Sequence, residues 1–300
     1  MEPQGIRGRV LTNVPMKRYT SMKVGGAVPY LFYPEDEADL GAAIAWLTGM
    51  RLPFRLLGNG TNVIVADRGF AAGLIRMSRM RRLRIETTET GALVTAAAGL
   101  PLKSLIRSCA ARGLTGQELL FGIPGTVGGA LKMNAGSFGA AISDCLVSLR
   151  YMDEKGEARK LMKDELGFAY RSSTISDRQC VIEAAFELKQ GDRGRIRADM
   201  DYVWQERLRK HPMERPSAGS VFKNGGGGPC WSYIDRAGLR GACVGAACVS
   251  DKHPNFIVNM GGATGADVVR LIETVKKRVH DATGVVLEEE VELWGFDDGA

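Results

Sequence analysis

No stretch of this chain is apolar over the roughly 20 residues that a membrane helix needs. Its first residues, Met-Glu-Pro-Gln, bring no basic segment followed by an apolar one. A secretory signal is therefore not expected, and a cytoplasmic chain is. Histidines number only 3, none clustered with cysteine, and the 6 cysteines contain no C-x-x-C. That composition argues against a transition-metal site. In a cytoplasmic chain, Cys109, Cys145, Cys180, Cys230, Cys243 and Cys248 read as small buried hydrophobes, not as disulfides. Aromatic residues make up 7% and none interleaves with the basic run Arg76, Arg79, Arg81, Arg82 and Arg84. With no nucleic-acid motif in sight, that run reads as a solvated face. There is no internal repeat, and the longest low-complexity tract is Gly225–Gly228. Gly58-x-Gly60 lacks the third glycine of a dinucleotide fingerprint, and the second glycine-rich loop lacks the Lys-Ser/Thr of a P-loop.

What is present belongs to a globular protein of one to three domains with a large core: 300 residues, 45% apolar and 25% charged. The formal charge is +6, from 40 basic and 34 acidic residues. A second basic stretch lies between Arg193 and Arg215, and such an excess attracts anionic small molecules. Glycine is plentiful, at 38 residues. The run Gly122-Ile-Pro-Gly-Thr-Val-Gly-Gly-Ala-Leu-Lys-Met-Asn-Ala-Gly136 holds 5 of them, with Thr126 and Asn134 as hydrogen-bonding side chains. Glycine admits close backbone approach and positive φ, and successive free N–H groups form anion-binding concavities. Gly58-Asn-Gly-Thr-Asn62 repeats the theme. Alone, each loop reads equally well as a tight turn. Together they predict the cradle of a large, elongated, phosphorylated cofactor.

Periodicity predicts a strand over Leu31–Tyr33, a helix over Asp36–Leu47, and short apolar runs at Phe54–Leu57 and Val63–Ala66. A hairpin follows over Leu83–Glu89 and Ala92–Ala98, then a helix over Pro101–Ala111. Strands are expected at Cys145–Met152, Ala158–Leu161 and Cys180–Leu188, and a helix at Ile196–Arg209. Near Pro212 and Pro216 a C-terminal unit begins, with helices over Ser232–Ala237 and Gly265–Ala282 and strands over Gly245–Val249, Phe256–Asn259 and Glu288–Leu293.

Several segments resemble one enzyme family. Gly58-Asn-Gly-Thr-Asn-Val-Ile-Val65 resembles the diphosphate loop of the FAD-binding fold shared with vanillyl-alcohol-oxidase (PCMH) type flavoproteins. Gly122–Gly136 resembles the second flavin loop in the form found in UDP-N-acetylenolpyruvoylglucosamine reductases. Tyr19-Thr-Ser-Met-Lys-Val-Gly-Gly26, Tyr170-Arg-Ser-Ser173, Ser217-Ala-Gly-Ser-Val-Phe-Lys-Asn224 and Val286-Leu-Glu-Glu-Glu-Val-Glu-Leu-Trp-Gly295 are similar to further segments of that family, in the family's order. The resemblance implies an α+β protein: a two-subdomain FAD-binding fold (1–80 and 81–205) and a C-terminal α/β domain (206–300) for a UDP-sugar. It implies a flavin-dependent oxidoreductase of peptidoglycan and cell-wall biosynthesis. Such an enzyme reduces UDP-N-acetylglucosamine enolpyruvate to UDP-N-acetylmuramate with NADPH and FAD. A monomer or weak oligomer is expected, with no nucleic-acid or membrane partner.

By the same resemblance, Arg171 stabilises the substrate carboxylate as negative charge builds on it, Ser220 is the general acid, and Glu290 works with Arg171 at the carboxylate end. A guanidinium suits a carboxylate because it grips at two points and keeps its charge. A serine hydroxyl needs help from a neighbour to act as an acid. Gly58, Asn59, Gly60, Thr61, Asn62, Gly125, Thr126 and Gly129 fall at cofactor-binding positions, and Lys210 and Asn224 at positions for the substrate diphosphate. Apart from the motifs, these residues also suit plainer roles: a loop arginine, a turn serine, a solvated acidic strand end, a lysine at a helix C-terminus. Strand alternation places Glu288 and Glu290 on one face and Glu289 on the other. Only the motif chooses among the three.

The chain departs from the family in three places. Asn224 is followed by four glycines where proline is usual, which predicts a looser loop and weaker substrate binding. Thr61 stands where serine is commoner. Positions 172–219, 48 residues, separate Arg171 from Ser220, too few for the tyrosine-bearing loop of one subclass. The chain fits the subclass without it. Another flavin oxidase of the same fold, or a non-catalytic regulator binding FAD or UDP-sugar, are the alternatives.

Overall fold

The computed structural model describes residue 3, residues 5–225 and residues 227–296. Gly226, inside the predicted loose loop, lies outside the described residues. The chain is α+β and divides into two compact units. The first gathers the chain up to Thr12, Tyr30–Asn59 and Ala72–Arg207; the second gathers Asn13–Pro29, Gly60–Ala71 and the chain from Leu208 onward.

The first unit has two hydrophobic cores. Around one of them, helix α1 (Glu37–Gly49) starts at Asp36, whose side chain accepts from Asp39 N at 3.0 Å. Leu40, Ala43, Ile44 and Leu47 recur at helical spacing and are buried against Phe32 and Ile75. Parallel pairing of Phe32 with Ile75, and of Ile75 with Leu56, builds the sheet beneath α1. The larger core lies on an antiparallel sheet in the order Ala158–Met162, Leu146–Met152, Cys180–Gln190, Gly91–Ala97, Leu83–Thr87. Helix α2 (Leu102–Ala110) buries Leu102, Leu105, Ile106 and Cys109 on it, and helix α3 (Val127–Lys132) adds Val127, Ala130 and Leu131. Pro101 is the N-cap of α2, one position earlier than expected. No local pattern announced α3, because the adjacent Gly128 and Gly129 near its start are poor helix formers. Helix α4 (Arg193–Lys210) runs to the unit boundary, which falls in its last turn.

In the second unit an antiparallel sheet runs in the order Ser217–Ser220, Phe256–Asn259, Ala247–Val249, Cys243–Val244. Helices α5 (Cys230–Arg236) and α6 (Gly265–Thr283) cover it. The predicted stripe of α6, Val268, Leu271, Ile272, Val275 and Val279, is buried. The helix starts with a reciprocal Thr264–Asp267 capping box and with Asp67 accepting from Gly265 N at 2.7 Å and Ala266 N at 2.9 Å. It ends at left-handed Gly284. Met22, Val24 and Ile64 belong to this core, and Val63–Val65 pairs in parallel with Glu292–Trp294. The N-terminal segments 13–29 and 60–71 thus complete the C-terminal core, a long-range pairing no local pattern announces.

Two expectations need correction. Cys243 and Cys248 form a disulfide. They sit directly opposite one another on the hairpin that turns at Gly245-Ala246, with Cα atoms 4.1 Å apart. Register made that pair, and the linear spacing C-x4-C carries no mark of it. Cys109, Cys180 and Cys230 are buried free thiols, and Cys145 is half-buried. The last strand is Glu292–Trp294, shorter than Glu288–Leu293: Glu289 makes only an isolated bridge to Phe222.

Asn259 shows how a buried polar residue holds the second unit. Its Oδ1 accepts from Gly261 N at 2.9 Å and Ala263 N at 3.1 Å, and its Nδ2 donates to Met22 O at 3.0 Å. Asn259→Leu strands these three backbone groups. A loss of about 2–4 kcal/mol is expected, read as a lower urea midpoint at unchanged slope.

Candidate active site

In the first unit the two glycine loops meet. A Cβ on Gly58 would lie 3.2 Å from Thr126 Oγ1. Thr126 is buried and caps α3, its Oγ1 accepting from Gly129 N at 3.3 Å. Gly125 has φ +136, a conformation few other residues adopt. Asn59 is exposed beside Gly58, and Gly129 is exposed at the first turn of α3. Buried polar atoms without protein partners lie in the same unit: both amide atoms of Gln117, Asn134 Oδ1 and Arg207 Nε. Buried polar groups are nearly always paired, so these call for a ligand that supplies both donors and acceptors. The bare glycine backbone and these orphan atoms fit a large, flat, polar group such as FAD.

Arg171 is set by the second glycine loop. It turns the hairpin Phe168–Ala169/Ser172–Ser173 at φ +53, a left-handed conformation unusual for an arginine. Asn134 Nδ2 donates to Ala169 O at 2.9 Å, and Ser173 Oγ donates to Lys132 O at 2.7 Å. These bonds tie the hairpin to the end of α3. A Cβ on Gly136 would lie 3.1 Å from Arg171 Nη1, so glycine leaves room for the guanidinium. Strained backbone held by surrounding bonds is a mark of functional positions.

In the second unit the fold brings Ser220 and Glu290 together. Glu290 N donates to Val221 O at 2.7 Å, so the residue after the serine is the backbone partner of the glutamate. Asn62 Nδ2 donates to Glu290 O at 2.9 Å, and Glu292 N donates to Asn62 O at 2.9 Å. The first glycine loop thereby fixes the glutamate strand. Gly60, at φ +63, accepts at its carbonyl from Ser21 N at 2.9 Å and leads into half-buried Thr61. The three adjacent glutamates part company: Glu288 is 72% exposed and paired with Lys223, and Glu289 bonds Lys276 Nζ on α6 at 2.7 Å. Glu290 is half-buried beside the serine strand. Asn255 explains the rigidity there. Its Oδ1 accepts from Phe222 N at 3.0 Å and its Nδ2 donates to Phe222 O at 2.8 Å. Asn255, Gln117 and Arg207 escaped the sequence reading because burial, not residue type, singles them out.

Asn224 is exposed, and its Oδ1 accepts from Cys230 N at 2.9 Å, which leaves its NH2 group to donate. The glycines after it close a turn through Gly228 N donating to Gly225 O at 3.2 Å. Lys210 is exposed on the last turn of α4. It lies near His253, which packs on His211 and Phe256 with ring centroids 5.6 and 5.0 Å away. Burial holds the His253 pKa below its ordinary value, and Arg240 and Lys210 push the same way. The unfolded chain therefore takes up a proton that the folded state refuses. Stability should hold above about pH 6.5, the unfolded value, and fall as pH drops below it towards the folded-state pKa. Urea midpoints across that range check this, and His253→Asn should flatten the profile.

Two family models match separate stretches of the chain. Residues 28–162 match the model of an FAD binding domain. Residues 211–294 match that of the UDP-N-acetylenolpyruvoylglucosamine reductase C-terminal domain. Fold and loops thus define a flavin-dependent oxidoreductase. The chain is 40% identical to the UDP-N-acetylenolpyruvoylglucosamine reductase of Syntrophus aciditrophicus (strain SB), over 97% of this chain and 94% of that one. It is also 40% identical to the reductase of the same name from Carboxydothermus hydrogenoformans, over 97% and 95%. The crystal structure of the Thermus caldophilus reductase superposes with a TM-score of 0.81 at 34% identity, over 96% of this chain and 99% of that one. The chain belongs to the UDP-N-acetylenolpyruvoylglucosamine reductase family. Among the described residues no helix is long and apolar enough to cross a membrane.

Proposed function

We infer that this chain reduces UDP-N-acetylglucosamine enolpyruvate to UDP-N-acetylmuramate, a step towards peptidoglycan, with FAD as bound cofactor and NADPH as electron donor. The observation that carries the reading is the union of Ser220 and Glu290, 70 positions apart in sequence (290 − 220), through the Glu290 N to Val221 O bond. The backbone pairing of Glu290 with the residue after Ser220 supports a shared site for the two side chains.

The glycine loops would hold FAD, which would supply hydride transfer between the nicotinamide and the terminal carbon of the enol ether. Gly58, Asn59, Gly60, Thr61 and Asn62 would line its diphosphate, with Gly125, Thr126 and Gly129 in the second loop. Arg171 holds the substrate carboxylate and stabilises the negative charge that grows there. Ser220 donates the proton to the carbon bearing the ether oxygen, and Glu290 acts at the carboxylate end. Lys210 and the Asn224 amide hold the diphosphate of the UDP-sugar. The residues 1–80 and 81–205 would make the two FAD subdomains and 206–300 the UDP-sugar domain, the protein acting in the cytoplasm as a monomer or weak oligomer.

An anaerobic spectrum tests the reading. A yellow protein should bleach with NADPH and regain its colour when the enolpyruvyl substrate is added. A protein that bleaches and stays bleached would remove the substrate, and a colourless protein that cannot take up FAD would remove both glycine-loop assignments.

A further inference from the structure

At Ser220 the regular sheet pairing of the second unit ends. Ser217–Ser220 pairs with Phe256–Asn259 at Ser217↔Val258 and Ser220↔Phe256, with one extra residue on the serine strand between them and Gly219 at φ +81. Val221 and Phe222, which follow, are buried, so their backbone groups need partners inside the protein. On one side the glutamate segment supplies them: Glu290 N donates to Val221 O at 2.7 Å, and Lys223 N donates to Glu288 O at 2.9 Å. On the other side a single residue does so. Asn255, 4% exposed, accepts at its backbone carbonyl from Val221 N at 2.8 Å. Its side chain accepts from Phe222 N through Oδ1 at 3.0 Å and donates to Phe222 O through Nδ2 at 2.8 Å. A carboxamide offers an acceptor edge and a donor edge, as a peptide unit does, so it stands in for a strand partner. The Cys230 thiol also reaches Oδ1, at 3.7 Å. Donors thus meet the amide oxygen and a carbonyl meets its nitrogen, which fixes the way the amide faces. Cys230 N in turn donates to Asn224 Oδ1 at 2.9 Å.

We propose that Asn255 is a positioning residue for the proton transfer: it sets the Ser220–Phe222 backbone against the glutamate segment, and so fixes where the Ser220 hydroxyl stands relative to Glu290. This rests on the function proposed above, in which Ser220 donates the proton. The lever is short. Ser220 directly precedes Val221, whose N–H is bonded by Asn255 and whose C=O is bonded by Glu290 N. The extra residue and the left-handed Gly219 loosen the sheet's own hold on Ser220, and the buried amide beyond it restores a fixed register. A misplacement of the donor by about 1 Å is enough to cost roughly 10²-fold in rate. The Cys230 N bond to Asn224 is made by backbone and survives a change of side chain at 255, so the diphosphate end of the site is untouched.

The test is anaerobic stopped-flow absorbance on the FAD-loaded enzyme, with NADPH for reduction and UDP-N-acetylglucosamine enolpyruvate for reoxidation, in wild type, Asn255→Leu and Asn255→Asp. Asn255→Leu removes both edges of the amide. It should slow reoxidation by roughly 10–10²-fold, while reduction by NADPH and the Kd for the substrate stay within about 3-fold of wild type. A protonated aspartate carries one O–H and one C=O on the same frame as the amide. Asn255→Asp should therefore run near the wild-type rate at low pH and lose rate, as a ratio to wild type, as pH rises through the pKa of that carboxyl, which burial raises. In Ser220→Ala protein the cost of either Asn255 variant should shrink, since a donor already removed cannot be misplaced. The proposal fails if the variants weaken substrate binding in step with the rate, slow both half-reactions alike, or cost as much with Ser220→Ala as without it; Asn255 is then a structural strut. An Asn255→Asp profile parallel to wild type at the wild-type rate overturns it as well. Should Asn255→Leu not fold, the pH profile of Asn255→Asp and its combination with Ser220→Ala decide. A wild-type flavin that the substrate does not reoxidise counts against the proposed function itself, and no Asn255 variant is needed to see it.

Discussion

Ser220→Ala should leave the bleaching of the flavin by NADPH at its wild-type rate and slow the return of colour by about 10²–10⁴-fold, the range typical of a lost general acid. The two half-reactions separate the roles. Ser220 belongs to the strand Ser217–Ser220 in the second unit, half-buried, with Val221 and Phe222 behind it held by Glu290 and Asn255. Removing one hydroxyl disturbs none of those backbone bonds, so the fold and the cofactor should be unaffected. Anaerobic stopped-flow absorbance measures both phases in one experiment. Equal slowing of both phases, or of neither, would remove Ser220 as the proton donor.

Arg171→Gly should separate stability from activity. At φ +53 the arginine occupies a backbone conformation that costs a non-glycine residue roughly 1 kcal/mol, and glycine relieves this while adding unfolded-state entropy of similar size. Thermal stability should therefore stay within about 1 kcal/mol of wild type. The bonds that hold the hairpin, Asn134 Nδ2 to Ala169 O and Ser173 Oγ to Lys132 O, involve its neighbours and survive. The second half-reaction should fall by about 10²–10³-fold, as for loss of one preorganised electrostatic contact. Arg171→Lys should not restore full rate, because an ammonium cannot grip a carboxylate at two points. A rate unchanged in Arg171→Gly would end the assignment.

Much of this was legible in the chain. The α6 stripe from Val268 to Val279, the strand Phe256–Asn259 and helix α1 after Asp36 follow from spacing and capping, which act within a few residues. The glycine loops and the Arg171, Ser220 and Glu290 segments were legible as motifs. Helix α3 was not, because propensity there is overridden by packing of Val127, Ala130 and Leu131 into the larger core. The Cys243–Cys248 pair was not, because it depends on hairpin register.

Local elements, the glycine-rich backbone and the kinds of side chain offered to a ligand follow from the chain alone, since short-range sterics and residue chemistry set them. Long-range packing settles the rest: segments 13–29 and 60–71 complete the C-terminal core, Glu290 lies against the serine strand while Glu288 and Glu289 are taken up by lysines, and Arg207 is buried near Arg171. Each of those depends on contacts between residues far apart in the chain, and burial is a property of the assembled fold, not of the residue.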